Sequence, residues 1–472
     1  MPPFSIPRLR VLIGAACAAG MVATAAQAQT AGELRDSLDP NGGRRPAVPR
    51  NDTGFVSMRQ GPVVIPTPPT PPPSVRGQSP AAAAAPPRRR PPAEDDPFAP
   101  TGVRVGAFTL RPAIEVSGGY DSNPGQVEGG GGSSMLVVAP ELTAQSDWER
   151  HALGVDIRGT YTAYREFPDL DRPDLTGTVT GRIDVTSRTW IDLEGRAHVA
   201  TEDPGSPDLP ADVAKLPLYT RFGGTAGVAH RFNRLEVALK GSVDRTEYQD
   251  SELTDGTTVS NADRNYEQYG TQIRGSYDLM PGVAPFVEVG LDRREHDLPV
   301  DAFGLQRDSQ GVSARAGSSF ALGGKLTGEA SAGYLARRYE DPTLQDLRGF
   351  LFDASLVWTA TPLTTVRLTG KTTVDETTQP GVSGILRRDV ALQVDHAFRR
   401  WLVGTVRLGY GIDDYQGDGR EDRRYEIAGG LTYKLNRSMQ LKGELRHVFR
   451  HSNVPGNDYT ANIALVGLRL QR

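Results

Sequence analysis

The chain has 472 residues, with 53 Lys and Arg against 57 Asp and Glu and a formal charge of −4. A mean hydropathy of −0.41 and 38% hydrophobic residues exclude a bundle of apolar membrane helices. No basic field of the kind nucleic-acid binders carry is present, and a single cysteine, Cys17, excludes a disulfide framework.

Residues 1–28 read as a cleavable secretory signal. Arg8 and Arg10 give a positive start, Val11 to Ala26 is a small apolar run, and Ala26-Gln27-Ala28 is a small-x-small cleavage site. The run is about 16 residues and rich in Ala and Gly, short of the roughly 20 that a spanning helix needs. Cys17 lies inside it, with Gly14 where a lipoprotein signal wants Leu. Cleavage removes Arg8 and Arg10, which takes the charge from −4 to −6 and leaves no thiol.

Residues 29–102 form a second segment rich in Pro, Ala and Arg. Residues 29–100 hold 17 of the 36 prolines, followed near the end by Arg88-Arg89-Arg90. Such a stretch cannot bury enough apolar surface to offset its ordering entropy, so disorder with stiff polyproline spacers is expected. A tether is the plainer reading. A periplasmic partner (peptidoglycan, another envelope protein or a neighbouring barrel) is the alternative.

From Val103 to Arg472 the texture changes and stays constant. Apolar and polar residues alternate over runs of 10 to 16 positions, the period-2 signature of strands. Leu153, Val155 and Ile157 alternate with Gly154, Asp156 and Arg158; Leu235, Val237 and Leu239 alternate with Glu236 and Lys240. Eighteen such segments run from 104–120 to 457–470, and weak ones such as 384–398 would reduce the count to 16. One face of each is Val, Leu, Ile, Ala and Gly; the other carries full charges mid-strand, which a packed soluble core does not accept unpaired.

The connections alternate in length, short turns such as Phe232-Asn233 and Arg399-Arg400 with longer loops such as 201–215 and 250–263. The longest loop is about 15 residues, too short for a folded plug of its own. All four tryptophans, Trp148, Trp190, Trp358 and Trp401, stand beside short turns. Tyr120, Tyr161, Tyr164, Tyr248, Tyr266, Tyr339, Phe350, Tyr415, Tyr425 and Tyr459 gather at the opposite ends. Two aromatic girdles around an aliphatic band, short turns on one side and an even strand number fit an all-β, antiparallel, up-and-down barrel across the bacterial outer membrane. Trp148, Trp190, Trp358 and Trp401 then mark the periplasmic rim, where both mature termini also lie. Closure pairs every backbone group, as lipid demands.

A barrel of about 16 to 18 strands encloses an aqueous lumen. The charged face assigns to it Arg158, Arg182, Glu194, Arg196, Glu236, Lys240, Arg274, Glu288, Glu329, Arg367, Lys371, Arg407, Glu444 and Arg446. Both signs are mixed, so these side chains either line a wet bore or pair into ladders that stiffen the wall. Lipid and lipopolysaccharide would surround the barrel, barrel-assembly machinery would insert it, and an oligomer is left open.

The strand Gly106-Ala107-Phe108-Thr109-Leu110-Arg111-Pro112, followed by Gly119-Tyr120-Asp121-Ser122-Asn123-Pro124, resembles the outer-membrane β-barrel porins of the porin 2 type, found mostly in alphaproteobacteria. The resemblance covers roughly residues 103 to 472. It implies an outer-membrane channel for small hydrophilic solutes or saccharides, with export or assembly of exopolysaccharide as the alternative, and no catalytic residue. The chain departs from such barrels at its end, Leu468-Arg469-Leu470-Gln471-Arg472, where an aromatic residue is common.

Other motifs carry little. Gly129 to Gly132 precedes a strand, whereas a phosphate-cradling loop needs a helix. Asp413, Asp414, Asp418, Glu421 and Asp422 read as solvated acids of one outer loop. His447 and His451 share a strand face about 13 Å apart by rise, too far for one ion. His198 beside Glu194 and Arg196 would suit a barrel-borne hydrolase only with an activated nucleophile, and no motif marks one. No cofactor or metal site is expected.

Overall fold

The computed structural model describes residues 97–210 and 212–472. The signal expected over 1–28, with Cys17, and the Pro-rich stretch up to residue 96 lie outside the described residues. Of 21 strands, three are pieces of two or three residues: Val103–Val105, Ser251–Glu252 and Thr258–Val259. The remaining eighteen are β1 (Phe108–Asp121), β2 (Ser133–Ser146), β3 (Ala152–Tyr164), β4 (Arg172–Asp184), β5 (Thr189–Thr201), β6 (Leu218–Phe232), β7 (Leu235–Tyr248), β8 (Tyr266–Tyr277) and β9 (Val283–His296). They continue as β10 (Ser309–Leu322), β11 (Leu326–Tyr339), β12 (Leu347–Thr361), β13 (Thr364–Asp375), β14 (Gly384–Arg399), β15 (Leu402–Gln416), β16 (Glu421–Lys434), β17 (Met439–Ser452) and β18 (Tyr459–Gln471). The weak segment 384–398 is a full strand, so the count is eighteen and not sixteen.

Each strand pairs antiparallel with the next, and β1 pairs with β18 from Ala113↔Gln471 to Asp121↔Ile463. The sheet therefore closes on itself, and backbone groups that would be orphaned at an open edge are paired. Gly119 sits at this seam, where a Cβ would run into the Ala464 carbonyl. The five residues of β1 beyond the seam are partly covered by Val103–Val105, paired with Leu110 to Phe108. The chain enters along the same rim, with Arg437 Nε donating to the Pro97 carbonyl (2.8 Å).

Connections on the rim where β1 starts and β18 ends run from two to five residues, and those on the other rim from four to seventeen. Of the two-residue turns, Asn233-Arg234 has Asn233 at φ 58°, a left-handed conformation Asn tolerates and two-residue hairpins favour. Strict alternation in length fails once. Loop 417–420 is no longer than the turn 435–438 that follows it, because β15 and β16 extend further into it than the sequence pattern suggested.

The β2–β3 ladder skips Ala139 and Pro140, and the β12–β13 ladder has a longer gap. Between β12 and β13 pairing runs from Asp353↔Lys371 to Thr361↔Thr364 and stops, leaving Leu347–Phe352 without partners on β13. Phe352 N instead donates to Thr372 Oγ1 (3.1 Å). Leu335, Tyr339, Leu344, Leu347, Val374 and Leu386 pack into an apolar cluster there, which shields the gap on the long-loop side.

Candidate functional site

Successive side chains on a strand point to opposite faces. One set is exposed and aliphatic, with Leu235, Leu239 and Val243 on β7, Val287 and Leu291 on β9, and Val466 and Leu468 on β18. The other set faces inwards, since side chains two or three strands apart touch through it. Arg196 on β5 reaches Asp244 on β7 (2.5 Å), Arg274 on β8 reaches Glu329 on β11 (2.6 Å), and Arg469 on β18 reaches Glu141 on β2 (2.5 Å).

The charged residues chosen from the sequence lie on this inner set, most of them in ion pairs. Arg158 pairs with Asp156 (2.8 Å) and Arg182 with Asp184 (2.9 Å), each within its own strand. Arg196 also holds Glu194 (3.1 Å), Glu236 holds Arg231 (2.7 Å), and Arg274 adds Glu288 (3.6 Å), which Arg315 contacts from the next strand. Arg367 pairs with Asp395 (2.8 Å), Arg407 with Glu426 (3.4 Å) and Glu444 with Arg446. Lys371 stands in register between Asp353 and Asp389, and Lys240 opposite Gly227 and Gln272. Cross-strand pairs of this kind contribute about 0.2–1 kcal/mol each. Their larger effect is on register, because a slip by one residue would turn every charge into lipid.

The aromatic girdles need correction. Trp358 and Trp401 are exposed on the outer side of the short-turn rim, and Trp148 packs edge-on against outward Phe108 (5.4 Å). Trp190 does not join them: it is buried on the inner face, with Arg182 4.4 Å above its ring and its Nε1 donating to Asp192 (3.1 Å). Its register opposite Asp184 turns it towards the charges. At the other rim Tyr120, Tyr161 and Phe350 face outwards, and Tyr425 stacks on Phe449 beside Tyr410. Tyr164, Tyr248, Tyr266, Tyr339, Tyr415 and Tyr459 have the opposite parity and point inwards. Five of them carry a stacked arginine: Arg172, Arg264, Arg294, Arg420 and Arg450, at 4.0–5.6 Å.

These stacked arginines hold the loops of the mouth. Loop 202–217 has Pro204, Pro207, Pro210 and Pro217, which stiffen it, and it does not stand up into solvent. Glu202 takes both ends of Arg264 (2.5 and 2.9 Å). Burial disfavours the Arg264 cation, but Glu202 more than restores it, so its pKa is raised. Further along, Arg450 of β17 donates to the Gly205 carbonyl (3.2 Å). Asp208 accepts from Thr377 Oγ1 (2.6 Å) and Thr378 N (3.1 Å). Thr377 belongs to the β13–β14 loop, eight strands round an eighteen-strand barrel from β5. The loop therefore crosses the mouth almost along a diameter.

Loop 376–383 leans in to meet it. Arg294 of β9 donates to the Val374 carbonyl (2.9 Å) and pairs with Glu376, while Arg307 donates to the carbonyls of Val382 (2.8 Å) and Gln379 (3.1 Å). Burial raises the Glu376 carboxyl, but Arg294, His296 and Arg337 together hold it below its ordinary 4.5. No loop of the sequence is long enough for a folded plug, and none forms among the described residues; two modest loops instead narrow the mouth by contacting each other. The prolines of 202–217 were the available sequence signal; the partners of Asp208 had none.

The acids read as one solvated loop are also corrected. Asp413 and Asp422 are buried inner-face strand residues, Asp413 held by Arg387 (2.9 Å) and Arg424 (2.8 Å) and Asp422 by Arg420 (2.7 Å). Asp414 faces Arg388 at 3.8 Å, and Glu421 pairs with Arg423 (2.6 Å). His198 Nε2 lies 3.4 Å from Asp174 and its Nδ1 3.5 Å from the Tyr219 hydroxyl. His447 bonds Asn462 (2.8 Å) and His451 bonds Asp458 (3.1 Å). Gly129 to Gly132 sit in loop 122–132.

No curated protein matches the chain. Among solved structures, the outer-membrane protein OpdK of Pseudomonas aeruginosa is 14% identical over 77% of this chain and 99% of its own, with a TM-score of 0.39. A BenF-like porin of Pseudomonas fluorescens Pf-5 is 12% identical over 78% and 100%, at 0.39. OccAB4 of Acinetobacter baumannii is 12% identical over 77% and 98%, at 0.39. The family described as "Putative beta-barrel porin 2" matches residues 96–472, and the chain, with its closed eighteen-strand wall and charged interior, belongs to that family of outer-membrane β-barrel porins.

Proposed function

We propose that this porin is a channel for small hydrophilic solutes whose long-loop mouth is narrowed by loops 202–217 and 376–383. The observation that carries the reading is the inner face itself. Charges of both signs run its length, and those that stay open, Arg158 and Arg182 among them, need water beside them, which a bore of this strand number supplies. The rim with the short turns and both barrel ends faces the periplasm in this reading, which points the Pro-rich arm inwards. The Asp208–Thr377 bridge favours small solutes over an extruded polymer, since a polysaccharide chain would have to displace it. Purified mature protein in planar bilayers should give stepwise currents; a barrel shown folded by heat-modifiable migration that gives no steps would overturn the proposal.

A further inference from the structure

The inner wall is not uniformly wet. Along β17 and β18, Gln440, Lys442, Arg446, Val448, Leu465 and Arg469 are all buried, with 1% of the Arg446 side chain and 4% of Arg469 exposed. The inner residues Glu236, Ala238, Lys240 and Asp244 of β7 are buried as well. The wall of β3 and β4 differs. There 49% of Arg158 and 45% of Arg182 are exposed, and Thr176 and Thr180, on the same face of β4, are open between them. On the facing wall Thr369 is open, between Arg367, exposed at 15%, and Lys371.

The chemistry of this open strip is as particular as its position. Each of its guanidinium groups is neutralised by a carboxylate two residues away, through Arg158 Nε to Asp156 (2.8 Å) and Arg182 Nε to Asp184 (2.9 Å). Arg182 is also fixed in place over the Trp190 ring, and its two terminal nitrogens have no protein acceptor among the described residues. The strip therefore offers threonine hydroxyls, free N–H donors and carboxylate lone pairs with almost no net field. Donors and acceptors alternating at fixed positions suit a solute that has both in quantity and no charge. A strip with one sign of charge would instead select ions.

We infer that solutes follow an eccentric path down the β3–β4 wall, and that this strip takes neutral, hydroxyl-rich solutes of monosaccharide to disaccharide size. The inference rests on the channel reading and names its substrate class. Substitutions close to isosteric keep the charges in place for its test. Thr176→Cys and Thr180→Cys sit on the open wall; Ser117→Cys and Thr405→Cys are buried inner-face positions on β1 and β15. Each gives the mature chain one thiol, and heat-modifiable migration checks its folding. In liposomes, an uncharged benzyl methanethiosulfonate should react at 176 and 180 and cut glucose-driven swelling severalfold. Reaction at 117 and 405 should be about tenfold slower, because a covered thiol reacts only through local opening. Equal rates at all four positions would overturn the eccentric path. Gluconate entering the wild-type liposomes about tenfold faster than glucose, a preference for charge worth about 1.4 kcal/mol, would overturn the neutral-solute assignment. No bilayer current from the wild-type protein would instead fail the channel reading, which keeps the outcomes separate.

Discussion

The mid-barrel wall and the long-loop mouth are built from the same residue types, arginine, acid and tyrosine, yet they are held in different ways. In the wall many partners are close in the ladder, as where Arg158 meets Asp156, Arg367 meets Asp395 and Arg407 meets Glu426, and pairs that reach further, such as Arg274–Glu329, still stand on hydrogen-bonded strands. Losing any one pair leaves the backbone ladder intact. In the mouth the partners come from far along the chain, with Glu202 to Arg264, Asp208 to Thr377 and Arg294 to Glu376, and few backbone bonds stand behind them. The wall is thus redundant and the mouth is not. A porin gains from that division, since a rigid cylinder can carry an entrance that adjusts.

The contrast is sharpest for Glu202→Gln. It leaves the buried Arg264 without its closest carboxylate, and breaking a buried pair costs about 3–5 kcal/mol. The cost should appear as faster hydrogen exchange in loop 202–217 and a larger open current, with the barrel still resistant to detergent. Exchange at the wild-type rate would mean that the loop is held elsewhere and that the mouth is as redundant as the wall.

The wall is vulnerable from its lipid side. Leu239→Arg places a cation on the outer face of β7, where Leu239 is 49% exposed, and should destabilise the barrel by about 2–4 kcal/mol. Denaturant unfolding from vesicles measures it. A larger loss of global stability than Glu202→Gln shows in the same titration is expected, since the mouth variant's cost stays in its loop; a mouth variant that unfolds the whole barrel would break the contrast.

Acid should act on the mouth first. The Glu376 pKa lies below its ordinary 4.5. Its pairing with Arg294 therefore stabilises fully above that value and is lost as pH falls through the depressed one. Channel noise should be unaffected between pH 5 and 8 and rise only once pH falls below the ordinary carboxyl range, and Glu376→Gln should show the noise at every pH. A Glu376→Gln channel as quiet as the wild type at pH 7 would show that Arg294 is not what keeps loop 376–383 in place. The smallest effect belongs to the open strip. Arg158→Ala removes a solvent-screened pair and should change stability by less than about 1 kcal/mol, a result checked by the same denaturant titration.

The sequence by itself determined the wall. Alternation with period 2 requires no knowledge of partners, and lipid on one side with water on the other makes each residue report its own face. All eighteen strands, their even number, the common rim of both ends and the inward charges were legible for that reason. Where a residue's face depends on register, local reading fell short: Trp190 and the six inward tyrosines look like girdle residues until the parity of their strands is known. Only tertiary structure decided the mouth. The bridge from Asp208 to Thr377 joins residues 169 apart, and no local pattern encodes a contact between two loops brought face to face by closure of the whole barrel. The uneven wetting of the lumen is of the same kind, since how far Arg158 or Arg469 is covered depends on neighbours that only the closed sheet supplies.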